Sequence, residues 1–216
     1  KAGVNIEFKE FKKTQQENAV IEILKLSCEW FQNNLQNPEA ILCKNYLHHR
    51  KLSQDTIFKF KLGYSFNSKI TLFDYLKKKS FKEKDIIKSN VVKIDKNNKI
   101  KDYFFKRIIF PILDERSNLV AFGGRALDES IPKYINSPES IFFRKRNLLY
   151  NLANAKYIAR KKNNLLICEG YMDVISLYQN GIKSVVSPLG TALTEKQLNL
   201  AWKYSSKPTI MFDSDK

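Results

Sequence analysis

The sequence predicts an α/β protein in two parts: an α+β region over residues 1–147, helical first and antiparallel after, then a βαβαβ unit with a parallel sheet over residues 148–216. Three features carry this. Apolar residues recur at helical spacing up to about residue 89, paired strand-turn-strand runs follow, and strand and helix patterns alternate from residue 148.

In residues 15–34, Ile21, Leu24, Cys28 and Phe31 fall on one stripe at spacings of three and four, the mark of an amphipathic helix. Asn37-Pro38 is a cap followed by Pro at the first helical position and opens a second helix running toward Arg50. Ser53 caps a short third helix, and residues 70–79 and 81–89 are two more, both rich in Lys. Residues 91–95 and 100–105 flank the turn Lys96-Asn97-Asn98-Lys99, and residues 107–114 and 119–127 repeat that arrangement. Pro111 cannot donate to a ladder, so its strand lies at an edge or carries a bulge. Residues 131–146 hold two prolines and no clean period, which reads as a loop of interleaved aromatic and basic side chains. A helix then leads to a strand ending at Glu169-Gly170, a helix, a strand, a helix opened by the Thr194…Gln197 capping box, and a strand ending at Asp213.

Composition bounds the function. The 216 residues carry 38 Lys+Arg against 22 Asp+Glu, a net charge of +16, yet 43% are hydrophobic and 12% aromatic. That is enough apolar material for a core, which argues against a disordered polybasic tail. No run approaches the roughly 18 apolar residues of a membrane span, and the first residues lack the apolar core of a secretory signal. Cys28, Cys43 and Cys168 are widely spaced beside two His, so neither a disulfide framework nor a zinc site is expected, and a reducing cytoplasm fits. The basic excess suits nucleic acid, an anionic membrane or a solvated Lys-rich surface alike. The missing initiator Met and the end just after Asp213-Ser214-Asp215 mark the chain as a segment of a longer protein.

Three carboxylates fall where parallel sheets gather their ligands, at the carboxyl ends of strands. Glu169 ends the first strand of the βαβαβ unit, Asp213 ends the third, and Asp215 follows at the spacing that points both Asp side chains the same way. Hard oxygen donors without His or Cys suit Mg²⁺ or Mn²⁺; equally, these are ordinary polar strand ends. Asp173, four residues after Glu169, is either a further member of the site or, the reading preferred, a first-turn acid of the following helix, and Gly170 lets backbone approach a ligand closely.

Glu169-Gly170-Tyr171-Met172-Asp173-Val174, Leu189-Gly190-Thr191 and Phe212-Asp213-Ser214-Asp215 resemble the Toprim module of DnaG-type bacterial primases. Type IA and type II topoisomerases, OLD-type nucleases and RecR-type proteins share that acidic pair, so it identifies the module only. Upstream, Arg107 to Ile112, then Ala121-Phe122-Gly123-Gly124-Arg125, then Pro132-Lys133-Tyr134-Ile135-Asn136-Ser137-Pro138-Glu139, with Phe142 and Lys145, resemble the basic motif block of those primases. Tyr46-Leu47, Arg50, Leu52 and Phe60…Gly63-Tyr64 are similar to the start of their core, so the resemblance covers nearly the whole chain.

The resemblance implies RNA primer synthesis on single-stranded DNA, with Glu169, Asp213 and Asp215 as the acids of the catalytic metals, Mg²⁺ or Mn²⁺. The family's zinc ribbon lies outside the chain, so zinc is not expected. Arg125, Lys133, Asn136 and Lys145 are then nucleotide or phosphate ligands, with Asn136 otherwise a turn residue between Ile135 and Ser137-Pro138, and Arg50, Arg107, Arg125 and Lys133 nucleic-acid contacts. Tyr134, Phe142 and Phe143 are candidates for stacking on bases or for core, and Gly123-Gly124 for a phosphate approach or a tight turn or bulge. Implied partners are the template strand, ribonucleoside triphosphates and the primer–template hybrid, with the replicative helicase and single-strand binding protein docking elsewhere, at a bacterial fork in the cytoplasm. The rival readings are another Toprim enzyme, a nuclease or topoisomerase, and a non-catalytic basic module for single-stranded DNA.

Overall fold

The computed structural model describes residues 14–66 and 70–213. Helix α1 (Gln15–Gln36) opens with a Thr14/Glu17 capping box and buries Val20, Ile23, Leu24, Cys28, Phe31 and Leu35 along one stripe. A 3₁₀ turn at Pro38–Ala40 leads into α2 (Ile41–His49), and the Ser53 hydroxyl accepts the Thr56 N–H at 3.2 Å to start α3 (Gln54–Lys59). Strand β1 (Gly63–Ser65), helices α4 (Leu72–Lys78) and α5 (Glu83–Lys88), and the hairpin β2 (Val92–Ile94) and β3 (Ile100–Asp102) follow. Then come β4 (Arg107–Leu113), β5 (Leu119–Ala126) and β6 (Tyr134–Asn136). After a 3₁₀ turn at Lys145–Asn147 the chain alternates through α6 (Leu152–Lys162), β7 (Leu166–Ile167), α7 (Tyr171–Gln179), β8 (Val185–Val186), α8 (Glu195–Trp202) and β9 (Thr209–Ile210).

Two sheets organise these elements: an antiparallel one in the order β1-β4-β5-β6 and a parallel one in the order β8-β7-β9, with β2 and β3 as a separate ribbon. The expected βαβαβ unit is therefore present. Two strands of the antiparallel sheet are additions to the sequence reading. β1 is three residues long and buried throughout, so it has no alternation to read. β6 lies inside the segment expected to be a loop, where flanking prolines mask its three residues. β3 is shorter than expected, because the Asp102 carboxylate leaves the ribbon to accept the N–H groups of Leu72 and Phe73 at 2.9 and 3.1 Å. β4 is not an edge strand, yet β1 pairs with it only as far as Ile109. Pro111 therefore meets a partner on one side alone, Phe122, and a register shift follows between Ile112 and Leu113.

Both faces of the antiparallel sheet are buried. Ile108, Phe110 and Ile112 join one cluster with Leu47, Ile57, Val174 and Ile175, while Ile109 and Phe122 join another with Leu24, Phe31, Leu76 and Phe104. Burial on two sides explains why β4 and β5 read as near-continuous apolar runs rather than alternating ones.

One transverse row of this sheet positions the parallel one. Phe110, Gly123 and Asn136 are register partners across β4, β5 and β6. Tyr171, the first residue of α7, lies on that row: its ring stacks on Phe110 at 4.8 Å and 11°, and its hydroxyl donates to Asn136 Oδ1 at 2.5 Å. A Cβ on Gly123 would stand 2.6 Å from Tyr171 Cζ and Oη, and one on Gly124 would stand 2.6 Å from the Phe104 ring. Of the two readings open for Gly123-Gly124, the tight turn or bulge is thus corrected. The pair is neither a turn nor a bulge but lies mid-strand, and the space it leaves on either face is filled by an aromatic ring.

The cysteines are free and buried, and desolvation pushes their thiols up to about 11 for Cys28 and about 12 for Cys43 and Cys168. No helix among the described residues is long and apolar enough to cross a membrane.

Replacing Gly123 with Ala should cost about 1–3 kcal/mol, the usual range for overpacking, in urea unfolding. The cost should shrink in a Tyr171→Ala background, because the added methyl then meets no ring; equal costs in both backgrounds would dismiss the seat. The thiols should also resist an aromatic disulfide reagent at pH 8, since the folded thiolate fraction is then roughly one part in a thousand or less. Fast labelling of native protein would show that these segments open.

Candidate active site

The parallel sheet sets two acidic residues side by side. Past β9 the Met211 N–H donates to the Ile167 carbonyl at 2.8 Å, so the pairing continues beyond the strand and carries Asp213 alongside Glu169. There the Asp213 N–H donates to Glu169 Oε2 at 3.3 Å. Both residues are exposed, at the carboxyl ends of neighbouring strands. Asp215, the third expected acid, lies outside the described residues. Asp173 has a structural job: its carboxylate accepts the Gly170 N–H at 3.0 Å and closes the first turn of α7. At Gly170 a Cβ would meet nothing closer than Asp173 Oδ2 at 3.5 Å, so packing within the described chain does not require glycine there.

Asn136 links this end to the antiparallel sheet. Besides accepting from Tyr171, its Nδ2 donates to the Leu189 carbonyl at 2.5 Å, so β6 holds the start of α7 and the loop after β8 together. Of the two readings open for it, a turn residue is excluded by its place in β6. Burial raises the Tyr171 hydroxyl well above its ordinary pKa and keeps it a neutral donor.

The basic residues divide into groups. Ile108, Arg125 and Tyr134 form the next transverse row, on the same face as Phe110 and Gly123. The Arg125 guanidinium lies 4.3 Å from the Tyr46 ring centre and 5.5 Å from that of Tyr134, and Arg50 approaches the same Tyr46 ring at 5.3 Å. Lys133, next to Tyr134, is exposed. Arg107 stands apart from these. Its register partner is Ala126, which places it on the opposite face from Arg125, and it is 6% exposed. Its guanidinium donates to the Pro132 and Lys133 carbonyls at 2.9 and 3.1 Å, and burial lowers its pKa. The structure therefore turns Arg107 toward the backbone of the 132–133 segment, not toward the other arginines. Lys145 is exposed on its own turn, whose carbonyls are held by α8: Gln197 Nε2 donates to Lys145 at 3.0 Å and to Leu148 at 2.9 Å. Among the stacking candidates, Phe143 is fully buried core, Phe142 packs partly buried between two clusters, and Tyr134 is 40% exposed.

The site's charges are not neutralised internally. The ion pairs found among the described residues are Lys25–Glu22 and Lys101–Asp95, and neither touches the site. Among the described residues the exposed Glu169 and Asp213 thus have no counter-cation, and exposed Arg50, Lys133 and Lys145 and buried Arg125 have no counter-anion. Two exposed carboxylates with an all-oxygen donor set fit a hard divalent cation. Among the described residues no group of three or more His, Cys, Asp or Glu comes together. Tyr46, a member of a quoted motif with no assigned task, and Tyr171 are the site residues that sequence reasoning passed over. The four-residue spacing from Tyr46 on α2 to Arg50 at its end was the available signal.

A family model described as the DNA primase catalytic core, N-terminal domain, matches residues 30–156, and a Toprim-like model matches residues 166–216. The DNA primase of Clostridium acetobutylicum is 41% identical over 190 residues, covering 86% of this chain and 30% of the relative. That of Deinococcus radiodurans is 36% identical over 217 residues, covering 100% and 37%. The chain therefore spans about a third of the length of these curated relatives. Among solved structures, the zinc-binding and RNA polymerase domains of the Aquifex aeolicus primase superpose with a TM-score of 0.85 at 33% identity, over 94% of this chain and 50% of that one. The DnaG primase catalytic domain bound to ssDNA gives 0.82 at 31% identity, over 94% and 66%. With a primase-core model matching more than half of its residues and its fold shared with those cores, the chain belongs to the DnaG-type DNA primase catalytic-core family.

Proposed function

We propose that this chain carries the core of template-directed RNA primer synthesis on single-stranded DNA. In this reaction a ribonucleotide 3′-hydroxyl attacks the α-phosphate of the next nucleoside triphosphate and pyrophosphate leaves. The reading rests most on one observation: two acidic strand ends of the parallel sheet and the basic row at Arg125 of the antiparallel sheet, neither ion-paired among the described residues, belong to sheets that Tyr171 and Asn136 hold together. The matches to primases support it.

In this reading Arg50, Arg125 and Lys133 take phosphates of the template or the incoming triphosphate, and Lys145 adds a cation from the turn that α8 holds. Such contacts position a strand without reading its sequence. Exposed Tyr134 offers a ring on which a base can stack. Asn136 acts by fixing the distance between the basic row and the acidic strand ends. Arg107 serves the 132–133 backbone and so holds Lys133 in place. Glu169, Asp213 and Asp215 would hold Mg²⁺ or Mn²⁺. A bound divalent cation supplies Lewis-acid stabilisation of the charge on the reacting phosphate and leaving pyrophosphate. Residues 1–147 and 148–216 are then the phosphate-binding and metal-holding parts of one core, in a cytoplasmic protein.

Glu169→Gln, introduced into the intact protein, should lower primer synthesis on a single-stranded template by about a hundredfold or more and leave DNA affinity within about twofold. Full synthesis in that variant would remove the acid from the reaction; no synthesis by the parent, with DNA bound equally well with or without Mg²⁺, would favour a non-catalytic binding module.

Two arginine substitutions should separate cleanly. Arg125→Ala should flatten the dependence of log affinity for single-stranded DNA on log salt by about 0.7, one phosphate contact. Arg107→Ala should leave that slope alone and cost about 1–3 kcal/mol of stability through two lost charged hydrogen bonds. If the slope responds to Arg107 and not to Arg125, the assignment is reversed.

A further inference from the structure

Arg125 is held in an uncommon way. It is 7% exposed, yet among the described residues it makes no ion pair, and its Nε is buried without a hydrogen-bond partner. Its terminal nitrogens, which also make no hydrogen bond there, are not among the buried orphans, so they are the part that reaches solvent. What surrounds the group is aromatic: the Tyr46 ring at 4.3 Å and the Tyr134 ring at 5.5 Å. Tyr46 also carries Arg50, the residue that ends α2, at 5.3 Å, and its own hydroxyl is buried without a partner among the described residues. A buried hydroxyl with nothing to bond adds nothing to stability, so the side chain's contribution at this position is its ring.

We propose that Tyr46 is a positioning residue: its π-face is the platform that orients the two phosphate-binding arginines while leaving their charge unspent. A carboxylate in the same place would also fix a guanidinium, but it would occupy the N–H edge and cancel the charge that a phosphate must meet. An aromatic face attracts the cation through its quadrupole, from above the plane, and leaves the N–H edges open. This role rests on the phosphate-binding reading of Arg50 and Arg125 and adds to it the residue that shapes their geometry.

The test measures affinity of the intact protein for a single-stranded oligonucleotide across a salt series, without Mg²⁺ or nucleotides, so that primer synthesis does not enter. Tyr46→Phe and Tyr46→Trp, which keep a π-face, should bind like the parent. Tyr46→Leu should bind about tenfold more weakly with a flatter salt slope, and in an Arg125→Ala background the same change should have a much smaller effect. Loss of binding in Tyr46→Phe overturns the proposal even if Tyr46→Leu fails to fold. So does an undiminished Tyr46→Leu effect without Arg125. A parent that binds no DNA at low salt would remove the phosphate-binding reading as well, whereas a parent that binds while Tyr46→Leu binds equally well removes this inference alone.

Discussion

The contact on which the arrangement depends is the seating of Tyr171 on Gly123. It joins an antiparallel sheet that carries basic side chains to the helix that starts two residues after an acidic strand end. Phe110 stacks under the ring, Asn136 receives the hydroxyl, and glycine makes room between them. Stacking and hydrogen bonding fix different degrees of freedom: the first sets the height of α7 above the sheet, the second its sideways position. Because Asn136 also holds the Leu189 carbonyl, the loop after β8 is referred to the same point. The spacing between the acidic strand ends and the basic row is therefore set by a few short-range contacts, not by the long loops between them.

This explains a sequence pattern that fold signals alone leave unexplained. Phe110, Gly123 and Asn136 lie far apart in the chain but share one row of register, and each is needed for a different part of the same aromatic side chain. The two glycines carry opposite faces of one strand: Gly123 receives Tyr171 from the first core cluster and Gly124 receives Phe104 from the second. A sheet buried on both sides needs such openings wherever a large ring must approach its backbone.

Most helices were legible because their signals are local. The Thr194…Gln197 box, the Ser53 cap and the Asn37-Pro38 start each work within one turn of chain. The βαβαβ unit was legible because its period changes so plainly. β1 and β6 were not, since three-residue strands owe their existence to neighbours distant in sequence. The acidic pair could be found from strand ends, and its side-by-side placement follows from parallel pairing. Opposite outcomes for Arg107 and Arg125 could not be found that way. Both are arginines on strands of one hairpin, and only the register, which sets Arg107 against Ala126 and Arg125 against Ile108, puts them on different faces. The jobs of Tyr46 and Tyr171 were hidden for a similar reason: tyrosine beside a sheet is ordinary core material until its neighbours are known.

The anchoring of the 145–148 segment has a mechanical consequence. The same side chains that cap α8, Thr194 and Gln197, also hold the carbonyls of Arg146, Lys145 and Leu148. Lys145 is thus fastened to the body that carries Glu169 and Asp213, whereas Arg125 and Lys133 ride on the other. Any rocking of one sheet against the other would carry Lys145 along with the acids and change its separation from Arg125. In the proposed reading a phosphate chain held from both sides would add a strut beside the Tyr171–Asn136 contact, and that strut would be lost as soon as the chain was cut.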